Sequence, residues 1–184
     1  ILSSQESKMV ISRVGVIGAG QMGNGIAHVM ALAGYDVTIA DVSEEHLESA
    51  TRKIAQNLDR QITAKKISKS QGAKALEKIR TTVDLGKVAK TGLIIEAVNE
   101  NEELKRKIFS SLIPHLDQST ILASNTSSIS ITRLASCTDR PEKFLGFHFM
   151  NPVPIMQLVE LIPGIATTQN TFDACKLVVD RLGK

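Results

Sequence analysis

Several places along the chain hold residues whose types and spacing can do chemistry. The first is Val14-Gly-Val-Ile-Gly18-Ala-Gly20-Gln21-Met22-Gly23, a GxGxxG run between an apolar stretch and an amphipathic one. Gly18 allows a tight turn, Gly20 lets the backbone approach a diphosphate, and Gly23 lets a helix pack closely on a strand. Gln21 and Met22 would open that helix, where unpaired N–H groups and the positive end of the helix dipole favour an anion. Glycine turns also arise for packing alone, so the run needs a second feature. Asp41 supplies it. This acid ends the next apolar run, about twenty residues past the glycines, where a carboxylate binds the hydroxyls of an adenosine ribose. A carboxylate repels a 2′-phosphate and no arginine follows in Val42-Ser-Glu-Glu, so NAD is expected rather than NADP. The other reading of Asp41, as the start of the next helix's cap, stays open.

Further along comes Gly146-Phe-His148-Phe-Met-Asn151-Pro152-Val-Pro154, then Gln157-Leu-Val-Glu160-Leu. An imidazole at a strand end suits removal of a hydroxyl proton near neutral pH. Pro152 and Pro154 mark a turn, and an antiparallel return would bring Glu160 against His148. A carboxylate on one ring nitrogen would fix the tautomer and make the other a better base. Flanked by Phe147 and Phe149, His148 can equally be a structural residue. A polar island, Ser124-Asn125-Thr126-Ser127-Ser128, follows another apolar run; its hydroxyls could hold a substrate oxygen or cap a helix. Glu100 and Lys105, beyond a further strand ending at Glu96, have the spacing of a surface salt bridge.

Something must bring these places together. Short apolar runs alternate with stretches of helical period, which predicts repeated βα units and a mainly parallel, doubly wound sheet of Rossmann type. Strands are expected near residues 13–18, 36–41, 79–83, 92–96, 120–124, 144–148 and 158–162. Helices are expected near residues 22–33, 43–66, 68–78, 102–115, 130–136 and 171–182. Ser68-Lys-Ser-Gln71 has the form of a capping box, so the second and third helices should make a helical hairpin inserted before the third strand. Gly183 has the place of a C-cap glycine. Residues 1–9 read as a leader or remnant, and 10–184 as one domain with no linker inside it.

Composition bounds the partners. The chain has 184 residues, 42% of them hydrophobic, enough for one sizeable core. Its net charge of +3 comes from 22 basic and 19 acidic residues, mixed along the chain without an arginine-rich block, so no nucleic acid partner is expected. No run is long and apolar enough to span a bilayer, and no membrane partner is expected. Cys137 and Cys175 fit neither a metal-ligand spacing nor a disulfide framework, so no metal is expected and a reducing compartment is favoured.

Taken together, Gly18-Ala-Gly-Gln-Met-Gly-Asn-Gly25-Ile-Ala, Ile95-Glu-Ala-Val with Glu100, Ala123-Ser-Asn-Thr-Ser-Ser128 and His148-Phe-Met-Asn-Pro-Val-Pro154 with Leu158-Val-Glu160 resemble the short-chain 3-hydroxyacyl-CoA dehydrogenase family, from about Val10 to the last residue. The resemblance implies an NAD-dependent oxidoreductase that interconverts 3-hydroxyacyl-CoA and 3-oxoacyl-CoA, with an acyl-CoA substrate. It implies His148 as general base, Glu160 as its orienting partner and Ser127 on the substrate's 3-oxygen. Cofactor contacts would come from Gly18, Gly20, Gln21, Met22, Gly23, Asp41, Glu100, Lys105 and Asn125, and further substrate contacts from Asn151 and, in the hairpin, Lys65. In this family a helical C-terminal domain completes the acyl pocket and makes a homodimer; the chain lacks that domain, so the fragment is expected to bind NAD better than it turns over. A cytoplasmic location is expected, or a mitochondrial matrix one in a eukaryote.

Overall fold

The computed structural model describes residues 10–184. The leader expected at residues 1–9 therefore lies outside the described residues. The elements run β1 (Arg13–Ile17), α1 (Gln21–Leu32), β2 (Asp36–Ala40), α2 (Glu44–Thr63), α3 (Lys69–Glu77), β3 (Ile79–Thr82), α4 (Leu85–Val88), β4 (Leu93–Glu96), α5 (Glu102–Leu112), β5 (Ile121–Ser124), α6 (Ile131–Ala135), β6 (Phe144–Phe149), β7 (Val159–Pro163) and α7 (Gln169–Leu182). One seven-stranded sheet has the order β3-β2-β1-β4-β5-β6-β7. Every neighbouring pair is parallel except β6 with β7.

The strands are short and apolar on both sides because helices cover both faces. Val14, Val16, Leu93, Ile95, Ile121, Ala123, Leu145 and Phe147 enter one core with residues of α1, α2 and α7. Alternate positions Ile17, Ile94, Leu122 and Phe144 enter the other, with Val88, Phe109, Leu112 and Leu134. The strand period of two thus builds both layers. The chain lays β2 and β3 on one side of β1, then returns to place β4 on the other. That reversal opens a crevice at the carboxyl ends of β1 and β4, where open α/β sheets collect ligands.

Local chemistry sets the helix ends. The Ser43 and Ser68 hydroxyls cap α2 and α3, and Ser68 with Gln71 completes the expected capping box. Helices α2 and α3 form the expected hairpin. Gly183 ends α7 in the left-handed region at φ 71°. Cys175 is buried and its thiol is pushed up to about 12 by that burial, the state of an inert core sulfur. Among the described residues, no helix is long and apolar enough to cross a membrane.

Candidate active site

The glycine turn joins β1 to α1. Gly18 sits at φ 101°, and a Cβ there would stand 2.7 Å from the Ala97 carbonyl oxygen. Its N–H donates to the Ala40 carbonyl at 2.8 Å, which ties the turn to the end of β2. A Cβ on Gly23 would fall 1.7 Å from the Gly18 carbonyl oxygen, so the third glycine is required by packing. Gly20 differs. It is the N-cap of α1, with no side-chain cap, and among the described residues nothing beyond its chain neighbours and its own helix backbone lies within 4 Å of where its Cβ would stand. The first turn of α1 therefore offers N–H groups to open space, the cradle a diphosphate needs.

The two glycines should fail differently when replaced. Gly23→Ala forces the backbone apart and is expected to cost about 1–3 kcal/mol or more of stability, read from urea unfolding. Gly20→Ala should unfold with the wild type yet bind NADH about tenfold more weakly, because its methyl group stands in the cradle. Equal NADH affinity in folded Gly20→Ala would show that no diphosphate comes there.

Asp41 follows β2 and faces the same turn. Its Oδ2 accepts the Ala19 N–H at 2.9 Å, and its Oδ1 meets the Ser43 N–H at 3.1 Å and His46 Nδ1 at 3.0 Å. Burial alone would raise its pKa. The two backbone N–H bonds and His46 outweigh burial, so the carboxyl is held below its ordinary value and stays ionised. Ser43 is the N-cap of α2, so Asp41 is not that helix's cap.

His148 is the fifth of the six residues of β6, and the antiparallel register places it directly opposite Glu160 on β7. Their side chains meet at 2.7 Å between Nδ1 and Oε2. The turn at Pro152 and Pro154 thus makes the return that the spacing called for. His148 lines a cavity of about 310 Å³ together with Met22, Glu100, Lys105, Asn125 and Ser127. Met22 belongs to the first turn of α1, so the glycine turn and the imidazole open into one crevice.

The floor of that crevice is a closed network. The Lys105 ammonium donates to Glu96 Oε1 at 2.7 Å and to the Val98 carbonyl at 3.2 Å, and lies 3.4 Å from Glu100 Oε2. Glu96 Oε2 accepts the Ser124 hydroxyl at 2.6 Å, and Ser124 Oγ accepts the Thr126 N–H at 3.3 Å. Glu100 Oε1 takes the Thr126 hydroxyl, the Ser127 N–H at 3.2 Å and the Ser128 hydroxyl at 3.0 Å. Burial raises the Glu100 pKa, but the Thr126 hydroxyl, the Lys105 charge and the Ser128 and Ser127 donors more than reverse it, leaving it below the ordinary carboxylate value. Ser127 is thereby held by its backbone, and the polar island is neither loose nor a helix cap; Ser130 caps α6 instead.

One expectation changes here. Glu100 and Lys105 do pair, at 3.4 Å, but not as a surface salt bridge, because Lys105 is 1% exposed and its shortest ion pair is with Glu96. The missed residue is Glu96, buried at 0% exposure. A signal for it exists: Lys105, Phe109 and Leu112 share one helical stripe, so a lysine lies on the apolar face of α5 and needs a buried counter-ion. Asn125 uses its Oδ1 to accept the Phe149 N–H at 2.8 Å, which pins the end of β6 beside His148. Asn151 accepts a bond from Gln21 Nε2 at 3.2 Å, tying the loop after β6 to α1. In the hairpin, a cleft of about 630 Å³ includes Arg60, Gln61, Lys66, Pro152 and Pro154, but Lys65 does not line it. Lys65 takes the left-handed conformation, φ 55°, just past the Ala64 C-cap, and that turn puts Lys66 rather than Lys65 on the cleft wall.

The family described as "3-hydroxyacyl-CoA dehydrogenase, NAD binding domain" matches residues 13–184. The 3-hydroxybutyryl-CoA dehydrogenase of Bradyrhizobium diazoefficiens is 57% identical over 175 residues, which are 95% of this chain and 60% of that protein. The human mitochondrial hydroxyacyl-coenzyme A dehydrogenase is 39% identical over 189 residues, covering 99% of this chain and 60% of that protein. Among solved structures, (S)-3-hydroxybutyryl-CoA dehydrogenase from Ralstonia eutropha superposes with a TM-score of 0.92 at 42% identity, covering 95% of this chain and 62% of that one. The chain therefore spans about 60% of the length of these curated relatives.

Proposed function

The chain belongs to the 3-hydroxyacyl-CoA dehydrogenase family, matching its NAD-binding domain, and from that premise we propose that it serves NAD-dependent interconversion of (S)-3-hydroxyacyl-CoA and 3-oxoacyl-CoA, with 3-hydroxybutyryl-CoA as a representative substrate. The 2.7 Å contact between His148 Nδ1 and Glu160 in a crevice shared with the glycine turn carries this reading.

When bound, NAD supplies the hydride acceptor, or as NADH the donor, at C4 of its nicotinamide. Glu160 accepts a proton bond from Nδ1, so Nε2 becomes the basic nitrogen of His148. In oxidation Nε2 takes the proton from the substrate's 3-hydroxyl as hydride leaves C3. In reduction the imidazolium, stabilised by Glu160, returns that proton and balances negative charge growing on the 3-oxygen. The Ser127 hydroxyl orients the same oxygen, while Asn125 fixes the strand that carries His148. Asp41 holds the adenosine ribose, the α1 N-terminus the diphosphate, and Glu100 with Lys105 the nicotinamide side. Asn151 and a hairpin lysine would reach the acyl-CoA.

On the family resemblance, a helical C-terminal domain would complete the acyl pocket and form a homodimer. The setting would be cytoplasmic, or the mitochondrial matrix in a eukaryote, in keeping with a human relative named mitochondrial. The test is acetoacetyl-CoA-dependent loss of NADH absorbance, measured on the polypeptide that includes such a domain, beside NADH binding to this chain. Both should be positive. Binding without turnover would reduce the reading to a nucleotide-binding module, and absence of binding would overturn it.

A further inference from the structure

We propose that His46 sets the cofactor selectivity of this site, by occupying an acceptor position on Asp41 and by placing an ionisable cation against that carboxylate; the proposal rests on the dinucleotide reading above. A carboxylate offers about four lone-pair positions. On Asp41 three are in use, by the Ala19 N–H at 2.9 Å, the Ser43 N–H at 3.1 Å and His46 Nδ1 at 3.0 Å. A ribose diol brings two O–H donors and finds one open position.

The three occupants are not equal. Ala19 lies in the glycine turn and Ser43 caps α2, so their N–H groups are held by the fold. His46 reaches the carboxylate only through its ring, and its side chain is 65% exposed. It is the occupant that must leave for both hydroxyls to bond, and its competition weakens the hold on NAD. Toward a 2′-phosphate the effect reverses. Asp41 repels that group, whereas an imidazolium paired with Asp41 offsets the repulsion at contact distance. The neighbouring helix positions, Glu44 and Glu45, are both acidic and give no such relief. His46 thus narrows the gap between NADH and NADPH that Asp41 alone would set.

The experiment measures dissociation constants for NADH and NADPH by cofactor fluorescence, at one pH and ionic strength, for the wild type, His46→Leu and His46→Lys. The Ser43 cap bond uses the backbone N–H of His46 and survives both substitutions. His46→Leu should tighten NADH and weaken NADPH by about two- to fivefold each, raising their ratio by about tenfold. His46→Lys, a fixed cation, should lower the ratio below wild type by about fivefold. A ratio in His46→Leu within about twofold of wild type, or one that fails to fall in His46→Lys, would overturn the proposal. A wild type that binds no NADH would instead overturn the dinucleotide reading beneath it.

Discussion

Replacing His148 by glutamine is expected to lower acetoacetyl-CoA turnover by about 10²- to 10⁴-fold while leaving NADH binding within about twofold of wild type. Glutamine approximates the volume of histidine and can still donate to Glu160, so the pairing of β6 with β7 has no reason to fail. It cannot take a proton from a hydroxyl. The loss should therefore appear in kcat, with NADH affinity a separate reading on the same protein. Glu160→Gln makes the companion case. It keeps a hydrogen bond to Nδ1 but removes the charge that stabilises an imidazolium, so its loss should be smaller than that of His148→Gln and greatest in reduction, where the histidine starts protonated. Unchanged turnover in His148→Gln would remove the histidine from the mechanism.

This pair was legible in the sequence because a strand counts its residues. Pro152 and Pro154 mark a turn, an antiparallel return could then bring Glu160 to His148, and the observed register pairs the two. The seven strands were legible for a related reason: apolar runs bounded by glycine and proline admit few alternatives in a βα chain. Helix ends were less so. A helix over residues 102–115 was expected, but Pro114 lacks an N–H, and the chain tightens after Leu112 into a 3-10 turn over Ile113–His115. Helix α4, four residues capped by Asp84, is too short to carry a period and was not foreseen. Helix α2 stops at Thr63 rather than running to 66, because the chain turns at Ala64 and Lys65. The dinucleotide loop was legible because each glycine has a separate steric reason to be there, and only Gly20 borders open space.

The buried lysine was hidden because its partner is distant in kind. Glu96 ends a strand and Lys105 lies on a helix, and no local rule couples them. The structure gives them the largest expected effect on stability. Lys105→Met fills similar volume, but among the described residues it leaves Glu96, at 0% exposure, with only the Ser124 hydroxyl and the Val98 N–H as donors. An uncompensated buried charge of this kind costs about 3–5 kcal/mol, a large part of the about 5–15 kcal/mol that holds a domain together. Urea unfolding should show a much lower midpoint with the slope unchanged. The double variant Glu96→Gln/Lys105→Met removes both charges and should recover most of the loss, because the penalty lies in the stranded carboxylate rather than in a missing attraction. A single variant as stable as wild type would refute this account, and so would a double variant no better than the single.

The same substitution should reach the site through Glu100. That carboxyl loses one of the influences holding its pKa low. A depressed carboxylate pKa contributes stability that is present above the unfolded value and lost as pH falls through the folded one. In Lys105→Met the folded value moves up toward the unfolded one, so this contribution to stability shrinks. Ser127, whose N–H bonds to that carboxylate, then loses part of its anchor. In any Lys105→Met protein that still folds, impaired turnover should accompany the lost stability, since the network that offsets a buried charge also anchors the backbone of Ser127, which lines the same cavity as His148.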